Sequence, residues 1–471
     1  MKTLKKIGAI VLAVMMIAAA GTAWALSTED EGRGTSGTAL TEFVISKEIV
    51  LFNTAGEEIY EPNITYTYSI AVQNPSSATI TDKNGMTGTV KTGVSGLVKI
   101  QGSNKEGYTG TAGVTNVDLV FGDDNSTKKP TVNEGTTITK DNARTAVRNM
   151  KLTFDTTVLR SGDPVSYPSS AAGIYRFKIT DETLPAALAA AGIARNTDYD
   201  ENRYLDVYVE WTDETRSALQ VYGIVLYKTS DSENAAEGTT GFSYDANKET
   251  GVKVTGYNVE SEMLSVDGAT NSTADEYHTY NLKVAKTTTG TMADKNHEFP
   301  VGIIFKNDNV TSQADFYSTG DFANDNLTLT TAGEYSVNTN FTADNPKVKN
   351  GDTFTFIGLP AGTYYQIAEK NDTVDSYKVK IEDKTPTKAV DVYAEAIVAS
   401  GANTTVNNRK AIDNLVSAGS YKTQDIQITN TLDAISPTGY VTRFAPYALI
   451  LVAGIVLLII ATKHKKHTDE E

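Results

Sequence analysis

The stretch YNLKVAKTTTG, residues 280–290, decides how this chain folds. Apolar and polar residues alternate along it with a period of two, which is the pattern of a β-strand with one buried face. Leu282, Val284 and Lys286 share that face, because alternate side chains of a strand point the same way. The pattern therefore predicts a lysine inside an apolar core.

A second stretch near the start of the chain repeats this design. In EFVISKEIVLF, residues 42–52, the same alternation places Phe43, Ile45 and Lys47 on one face. Lysine is almost never fully buried unless it is paired, so two lysines in this position are unusual. Their recurrence indicates two units of similar construction.

Each unit continues with an acidic residue and closes with an asparagine, both in strand-like sequence. In the first unit the strand AGIYRFKITD ends at Asp181, with Glu182 as an alternative, and Asn258 follows near the end of the unit. In the second unit AGTYYQIAE ends at Glu369, and DIQITNT contains Asn430. The order lysine, acid, asparagine thus occurs twice.

Short alternating runs between clusters of Asn, Asp, Gly and Ser predict the fold class. We expect an all-β protein with two tandem immunoglobulin-like β-sandwich domains, at residues 40–270 and 278–434. The polar run TNSTADEYH, residues 270–278, marks the boundary between them. The main exception is LPAALAAAGIAR, residues 184–195, which predicts a short helix or a packed loop.

The N-terminal residues 1–25 have the composition of a secretory signal peptide. Lysines come first, an apolar run follows at residues 7–20, and Ala-Trp-Ala supplies the small residues that a signal peptidase requires. We expect cleavage between Ala25 and Leu26, with a retained membrane helix as the alternative. The chain has no cysteine, so an exported protein of this length must be stabilised without disulfides.

The C-terminal residues 436–471 combine a short turn, an apolar segment and a basic stub. Residues 444–462 are apolar apart from a final threonine and are long enough for a transmembrane helix. The lysines that follow would stay on the cytoplasmic side of the membrane. The turn directly before the segment consists of Ser436, Pro437, Thr438 and Gly439.

A lysine, a carboxyl group and an asparagine in one apolar core have a defined reactivity. Burial lowers the pKa of a lysine and raises that of a carboxylic acid, so both can be neutral. The amine can then attack the amide carbon while the acid carries protons and ammonia leaves. The alternative is that both lysines point into solvent and both asparagines lie in turns. The predicted sets are Lys47, Asn258 and Asp181 in the first unit, and Lys286, Asn430 and Glu369 in the second.

These residues also carry a resemblance to the isopeptide-bonded pilins and surface adhesins of Gram-positive bacteria. EPNITYTYSIAV and AGIYRFKITD are similar to the N-terminal domain of the streptococcal-type major pilin family. NLKVAKTTTGTMADKNHEFPVGIIF, GLPAGTYYQIAE and DIQITNTLDAISPTGY resemble the C-terminal pilin domain and the B-type repeats of collagen adhesins. Tyr365, Ile367 and Glu369 match the core of the E-box, whose glutamate promotes the isopeptide bond in that family. The usual Ala-Pro-x-Gly continuation is absent, and Tyr377 is the candidate for the tyrosine of this motif.

The resemblance implies a structural role at the cell surface, in a pilus or the cell wall. Pro-Thr-Gly before a membrane segment is similar to the variant sorting signals of pilins, at which a sortase joins Thr438 to an amine. The implied partners are a sortase and either other pilin subunits or peptidoglycan, and the membrane anchor would be temporary. No pilin motif marks the lysine that receives the next subunit, and Lys228, at the end of VYGIVLYK, is our candidate.

Two alternatives to a pilus shaft subunit stay open. One is a wall-anchored adhesin that binds host matrix or glycan through loops in the 75–140 region, since binding residues are often carried on loops. The other is a membrane-tethered protein that no sortase processes.

Composition argues against several other classes of function. Only four histidines are present, so few residues are available for a histidine metal site or a Ser-His-Asp triad. The sequence contains no phosphate-binding loop motif. A formal net charge of −16 argues against nucleic-acid partners. Acidic loops at residues 122–135 and 321–326 could hold calcium, although solvated acidic loops are commoner. We therefore predict no enzyme acting on an external substrate, no cofactor and no metal site.

Overall fold

The computed structural model describes most of the chain from residue 38 onwards. The described residues are 38–74, 79–81, 87–113, 115–122, 127–162, 166–196, 199–228, 254–259, 263–266, 269–272, 274–306, 317–320, 328–331, 334–336, 345–385, 391–405, 410–411, 423–434 and 447–459. Strands dominate these ranges, so the all-β expectation is confirmed. The immunoglobulin-like arrangement of two separate domains stays a prediction.

The strands of the first half, in chain order, are β1 (Glu42–Asn53), β2 (Ile64–Val72), β3 (Thr79–Thr81), β4 (Thr87–Thr92), β5 (Val98–Gln101), β6 (Ser103–Asn104), β7 (Gly107–Tyr108), β8 (Asn116–Phe121), β9 (Val132–Asn133), β10 (Thr145–Phe154), β11 (Gly173–Asp181), β12 (Ile193–Ala194), β13 (Asn202–Trp211) and β14 (Leu219–Lys228). A 3-10 helix spans Thr156–Leu159, and a short α-helix, α1, spans Pro185–Ala190. The chain thus folds back on itself many times before residue 228.

The strands of the second half are β15 (Met263–Val266), β16 (Ala269–Ser272), β17 (Asp275–Thr289), β18 (Phe299–Lys306), β19 (Tyr317–Gly320), β20 (Thr328–Thr331), β21 (Glu334–Ser336), β22 (Lys347–Val348), β23 (Thr353–Pro360), β24 (Tyr364–Lys370), β25 (Tyr377–Asp383), β26 (Asp391–Val398), β27 (Asn403–Thr405), β28 (Lys410–Ala411) and β29 (Gln424–Thr431). Strands β15 and β16 pair only with each other in the described part of the chain. The longest strand is β17, at 15 residues.

The described residues contain four hydrophobic clusters, and the strands form two layers around each of the two largest, which are called the first and second cores. An 11-stranded sheet runs through both halves, with β26-β25-β29-β17-β1-β10-β5 as its main path. A 9-stranded sheet, with β14-β13-β11-β2-β8-β6-β7 as its main path, covers the first half. A 7-stranded sheet, with β20-β21-β18-β24-β27 as its main path, covers the second half. Each core therefore lies between the shared sheet and a sheet of its own.

Strand β17 belongs to both halves of the molecule. Its residues Asp275 to Thr279 pair in parallel with Ile49 to Asn53 of β1. Its later residues pair in parallel with β29 and antiparallel with β23. The polar run 270–278, predicted as a boundary, therefore overlaps β16 and the start of β17.

The predicted helix or packed loop at residues 184–195 forms α1 and the strand after it. Pro185 opens the helix, where its missing N–H removes no helical hydrogen bond. Gly192 follows the helix with φ +75°, a left-handed conformation that glycine adopts without strain. Strand β12 then pairs with β17. This pairing brings the next residue, Arg195, to the first core.

Several predicted features lie wholly or partly outside the described residues. The signal peptide 1–25, with Ala25 and Leu26, and the turn at residues 436–439 lie outside them. Of the predicted transmembrane segment 444–462, residues 447–459 are described and form a helix with exposed side chains. Among the residues that the structure describes, no helix reaches the length and hydropathy needed to cross a membrane.

Candidate bond-forming sites in the two cores

The second core contains the predicted lysine and acid in direct contact. Lys286 projects from β17, and its Nζ donates to Oε2 of Glu369 on β24 over 2.6 Å. The side chains are 1% and 0% exposed. Burial of two charges is costly in an apolar core, and close pairing offsets part of that cost.

Asn430 lies on the same face of the shared sheet as Lys286. In the parallel pairing of β17 with β29, Lys286 lies opposite Ile428 and Thr288 opposite Asn430. Directly opposed residues of neighbouring strands project to the same side, and so do residues two apart on one strand. Asn430 is therefore one repeat of the pleat from Lys286, and it is 0% exposed. The structure brings all three predicted residues of this unit to one core.

The polar atoms of this site are incompletely satisfied. Both side-chain atoms of Asn430, Oδ1 and Nδ2, lack a hydrogen-bond partner, and so does Oε1 of Glu369. A buried polar group left without a partner costs about 1–3 kcal/mol. A primary amide placed in an apolar core and given no hydrogen bond is rare in folded proteins, because natural cores pair such groups. The arrangement calls for an explanation other than packing.

Burial shifts the pKa of Lys286. Removal from water lowers the pKa of Lys286 from its ordinary value, and the contact with Glu369 opposes that shift only in part. Its Nζ also lies 4.3 Å from the centre of the Phe299 ring. Tyr377, the residue suggested for the E-box tyrosine, packs edge-on against the same ring with centroids 5.4 Å apart. Apolar and aromatic groups thus surround the amine, and burial makes loss of its proton easier than it would be in water.

In the first core, Lys47 is buried as the alternation predicts, but the structure does not bring Asn258 to it. Lys47 forms a parallel β-bridge with Tyr257, so Tyr257 is the residue that shares its face. A shift of one residue moves a side chain to the opposite face of a strand. Asn258 accordingly donates from Nδ2 to Ser46 Oγ over 3.1 Å and to Thr255 Oγ1 over 3.0 Å.

Asp275 occupies the place beside Lys47 that the sequence pattern predicts for Asn258. Lys47 Nζ donates to Asp275 Oδ2 over 2.7 Å, and the two side chains are 1% and 0% exposed. Tyr66 donates its hydroxyl to the same oxygen over 2.8 Å. Arg195 donates from Nε to Asp275 Oδ1 over 3.1 Å. Asp275 was not predicted as a site residue, because it lies in the polar run 270–278, whose composition indicates a domain boundary.

Asp181 lies in the same cluster and reaches Lys47 through a tyrosine. Lys47 Nζ donates to the hydroxyl of Tyr199 over 3.1 Å, and that hydroxyl donates to Asp181 Oδ2 over 2.7 Å. Arg195 Nη2 also donates to Asp181 Oδ2 over 2.8 Å. The alternative acid, Glu182, accepts a hydrogen bond from a serine on the exposed side of the sheet. Asp181 is therefore the acid that faces the core.

The first cluster is electrically balanced. Burial lowers the pKa of Lys47, against the attraction of Asp275 and Asp181. Burial alone would raise the pKa of Asp275, but Lys47 and Arg195 hold it below its ordinary value. Burial raises the pKa of Tyr66 and of Tyr199, so both phenols stay neutral and able to donate. Two basic and two acidic side chains thus face one another in this cluster.

Lys228 ends β14 with its backbone opposite Arg203, and its side chain is outside the described parts. Within the described ranges, no group of three or more histidine or acidic side chains is arranged to hold a metal ion. The acidic loop 321–326 lies outside those ranges.

Comparison of the sequence with known families gives one match. A family described as "Domain of unknown function (DUF7601)" matches residues 280–410. The matched range contains Lys286 and Glu369 and ends before Asn430. No curated protein sequence matches the chain.

Comparison of the structure with solved structures returns pilus proteins. The major pilin protein T3.2 from Streptococcus pyogenes is similar at 16% identity with a TM-score of 0.41, over 84% of this chain and 99% of the pilin. Another major pilin from Streptococcus pyogenes is similar at 14% identity with a TM-score of 0.36, over 84% and 100%. The pilus-presented adhesin Spy0125 (Cpa) is similar at 10% identity with a TM-score of 0.22, over 83% and 99%.

Proposed function

We propose that this chain is a structural protein of the cell surface whose second core forms an amide bond between Lys286 and Asn430. The observation that carries this proposal is the Asn430 side chain, which is fully buried without a hydrogen bond beside the Lys286–Glu369 pair. A buried primary amide without a partner is costly as an end state. It is a suitable starting state for a reaction that consumes it.

The residues of the site supply each step of this reaction. Glu369 takes a proton from Lys286 across their 2.6 Å contact, which leaves a neutral amine and a protonated acid. The amine attacks the side-chain carbonyl carbon of Asn430, and the acid stabilises the developing oxyanion by donating to it. The attacking nitrogen gives up one of its two protons, Glu369 relays a proton to the departing nitrogen, and that nitrogen leaves as ammonia. The bond forms once per molecule, so no turnover is involved.

The benefit of such a bond is mechanical and thermodynamic. It ties β17 to β29, two parallel neighbours in the shared sheet that have β18 to β28 between them in the sequence. By analogy with a disulfide, closing a loop this long would stabilise the folded state by roughly 5 kcal/mol. A chain without cysteine gains in this way a covalent link that reducing conditions do not break.

The bond suits the surface role that the sequence motifs indicate. In this proposal the signal peptide 1–25 directs export, the segment 444–462 holds the chain in the membrane, and a sortase joins Thr438 to an amine. The product would be a pilus shaft subunit, linked to other subunits or to peptidoglycan. A wall-anchored adhesin that binds host matrix or glycan is the alternative product of the same processing.

Peptide mapping of the full-length protein by mass spectrometry tests the bond. We expect a cross-linked species in which the peptides of Lys286 and Asn430 are joined with the loss of one ammonia. Glu369→Ala should abolish the cross-link, because no other acid contacts Lys286 in the described structure. Glu382→Ala is the matched control, since Glu382 pairs with surface lysines and should leave the link intact. Unlinked peptides in the wild-type protein would contradict the proposal.

The surface role is tested separately on wall extracts of the producing cell. A ladder of SDS-resistant multimers that disappears when Thr438→Ala is introduced supports a shaft subunit. A single wall-bound band that also depends on Thr438 favours the adhesin. A product that keeps residues 439–471 would show that no sortase processes it.

A further inference from the structure

Two buried threonine hydroxyls lie beside the site of the second core. Thr288 and Thr404 are 1% and 5% exposed, and neither hydroxyl has a hydrogen-bond partner among the described residues. Natural cores pair such groups, so unpaired hydroxyls at a reactive site indicate atoms that find partners in another state of the molecule. We propose that Thr288 donates its hydroxyl to the side-chain oxygen of Asn430 while the amide bond to Lys286 forms, and that Thr404 orients the acid. This inference rests on the bond proposed above.

Strand pairing puts Thr288 at the level of Asn430. The two residues are directly opposed in the parallel pairing of β17 with β29, and neighbouring strands lie about 4.8 Å apart. Directly opposed side chains project to the same face, which here is the core face that Lys286 shares. The amide of Asn430 therefore has a hydroxyl beside it on the neighbouring strand and the amine one repeat of the pleat away. One rotation, about the Cα–Cβ bond, sets the direction of that hydroxyl.

The backbone of Thr288 is held in place without the help of its hydroxyl. Its N–H donates to Oδ1 of Asn350 over 2.8 Å, and its strand pairs with β29. Asn350 lies in the turn at residues 349–352, in which the N–H of Gly351 donates to the carbonyl of Lys286 over 3.0 Å. The same turn thus contacts the backbone of the donor and of the attacking residue. Loss of the hydroxyl leaves all these contacts in place.

A donor that is unpaired in the starting state suits the step in which charge develops. When the amine of Lys286 adds to the side-chain carbon of Asn430, a C–N bond forms and the carbonyl electron pair moves onto oxygen. A hydrogen bond made only at this stage lowers the barrier, whereas one made equally in the starting state does not. The electron pair then returns to carbon, the bond to the departing nitrogen breaks, and ammonia leaves. Thr288 keeps its own proton throughout.

The surroundings strengthen such a hydrogen bond. The other residues on this face of the two strands include Val284, Ile426 and Ile428, which are at most 1% exposed. No bulk water competes for a donor in such a place, and the low local dielectric makes its interaction with a charged oxygen stronger than in water. The hydroxyl of Thr288 and the protonated Glu369 thus provide two donors for the same oxyanion.

Thr404 stands in the same relation to Glu369 as Thr288 does to Asn430. It is directly opposed to Glu369 in the antiparallel pairing of β24 with β27, where Cβ atoms lie about 4.5–5.5 Å apart. Oε2 of Glu369 faces Lys286, whereas Oε1 has no partner in the described ranges. A hydrogen bond from Thr404 to Oε1 would fix which oxygen meets the amine. Thr404 is therefore a positioning residue that acts through Glu369.

The rate at which the bond forms tests the role of Thr288. The full-length chain is made by cell-free synthesis, samples are denatured at intervals, and peptide mapping gives the fraction in which Lys286 and Asn430 are joined. We expect Thr288→Val to form the bond about 100-fold more slowly than the wild type, a usual cost of removing one oxyanion donor. Thr288→Ser keeps a hydroxyl and should react at close to the wild-type rate. Thr287→Val is the matched control, since that hydroxyl accepts from Gln427 on the opposite face of the sheet.

The same time course tests Thr404. We expect Thr404→Val to slow the formation of the bond, because Glu369 then loses the group that orients it. Thr404→Ser should restore the wild-type rate, since serine supplies the same hydroxyl. Equal rates for Thr404→Val and the wild type would show that Thr404 has no part in the reaction.

A stability measurement separates the role of Thr288 from a structural one. In a Glu369→Ala background the bond does not form, so urea unfolding reports packing alone. Thr288→Val added to that background should not lower the midpoint, because the hydroxyl has no hydrogen bond to lose. A lower midpoint, or a wild-type rate for Thr288→Val, would overturn the inference and leave the proposed bond standing. Wild-type protein that stays unlinked would overturn both.

Discussion

Glu369 shows most directly what a single residue contributes to the second core. Its side chain is 0% exposed, and its Oε2 contacts only Lys286 among the described side chains, while Oε1 has no partner. A buried carboxylate that loses its one cation must remain charged without compensation or take up a proton. Either outcome costs free energy, typically about 3–5 kcal/mol for a broken buried pair.

Two variants that both lack the amide bond isolate this cost. Lys286→Met removes the amine and leaves Glu369 alone, whereas Lys286→Met with Glu369→Leu fills the site with apolar groups. We expect the double variant to be more stable than the single one by about 3 kcal/mol, because it contains no buried charge. Urea unfolding followed by tryptophan or tyrosine fluorescence measures the difference. Equal midpoints for the two variants would show that Glu369 is solvated.

At the scale of the element, β17 contains a further titratable group between Asp275 and Lys286. His278 lies between two acids, with Nδ1 3.0 Å from Glu134 Oε1 and Nε2 3.1 Å from Glu276 Oε2. Phe52 of β1 stacks on its ring with centroids 4.8 Å apart. Burial lowers the pKa of His278, but the two carboxylates raise it further, to about 9. His278 is therefore a cation at neutral pH and holds β17 to the first half of the molecule.

This shift predicts a pH dependence of a definite sign. The folded-state pKa of about 9 lies above the ordinary 6.5, so the folded protein binds a proton that the unfolded chain gives up. Its contribution, of order 3 kcal/mol, is complete below about pH 6.5 and is lost as the pH rises through 9. We expect His278→Gln to flatten the fall in stability between these values, measured by urea unfolding. His297→Gln, at a more exposed pair with Asp372, is the control.

The sequence predicts the strands of both sites better than the contacts between them. Period-two alternation is a local property, and it was sufficient to place Lys47 and Lys286 on buried faces. Asn258 does not reach Lys47, because the register of the two strands differs by one residue from the predicted one. Tyr257 is the residue opposite Lys47. Register between distant strands depends on tertiary packing, which no short window of sequence contains.

The start of β17 illustrates the same limit in another way. The run 270–278 is polar and reads as a linker, and propensity alone supports that interpretation. Its Asp275 is nevertheless 0% exposed, because Lys47, Tyr66 and Arg195 satisfy its carboxylate. All three residues lie at least 80 positions away from Asp275 in the sequence. Only the folded chain brings them together, so the sequence offered no signal for this acid.

For the whole molecule, the amide bond proposed between Lys286 and Asn430 predicts how the protein responds to force. The residues between Lys286 and Asn430 would be shielded from a pull on the two ends. We expect single-molecule stretching of the wild-type protein to leave this segment unextended. Glu369→Ala, which should prevent the bond, should release the segment at about 3.5 Å per residue of added length. Identical extensions for the wild type and Glu369→Ala would show that no covalent link shields this segment.

Strand β17, which belongs to both halves, also determines when the first half can complete its fold. A chain is made from its N-terminus, and β1 is complete early, but its parallel partner at residues 275–279 arrives more than two hundred residues later. Until then β1 lacks one neighbour, and Lys47 lacks Asp275. Contacts so distant in sequence form slowly, because a long loop must close first. The first half of this protein therefore matures only when residues 275–279 have been made, and it has no finished state before then.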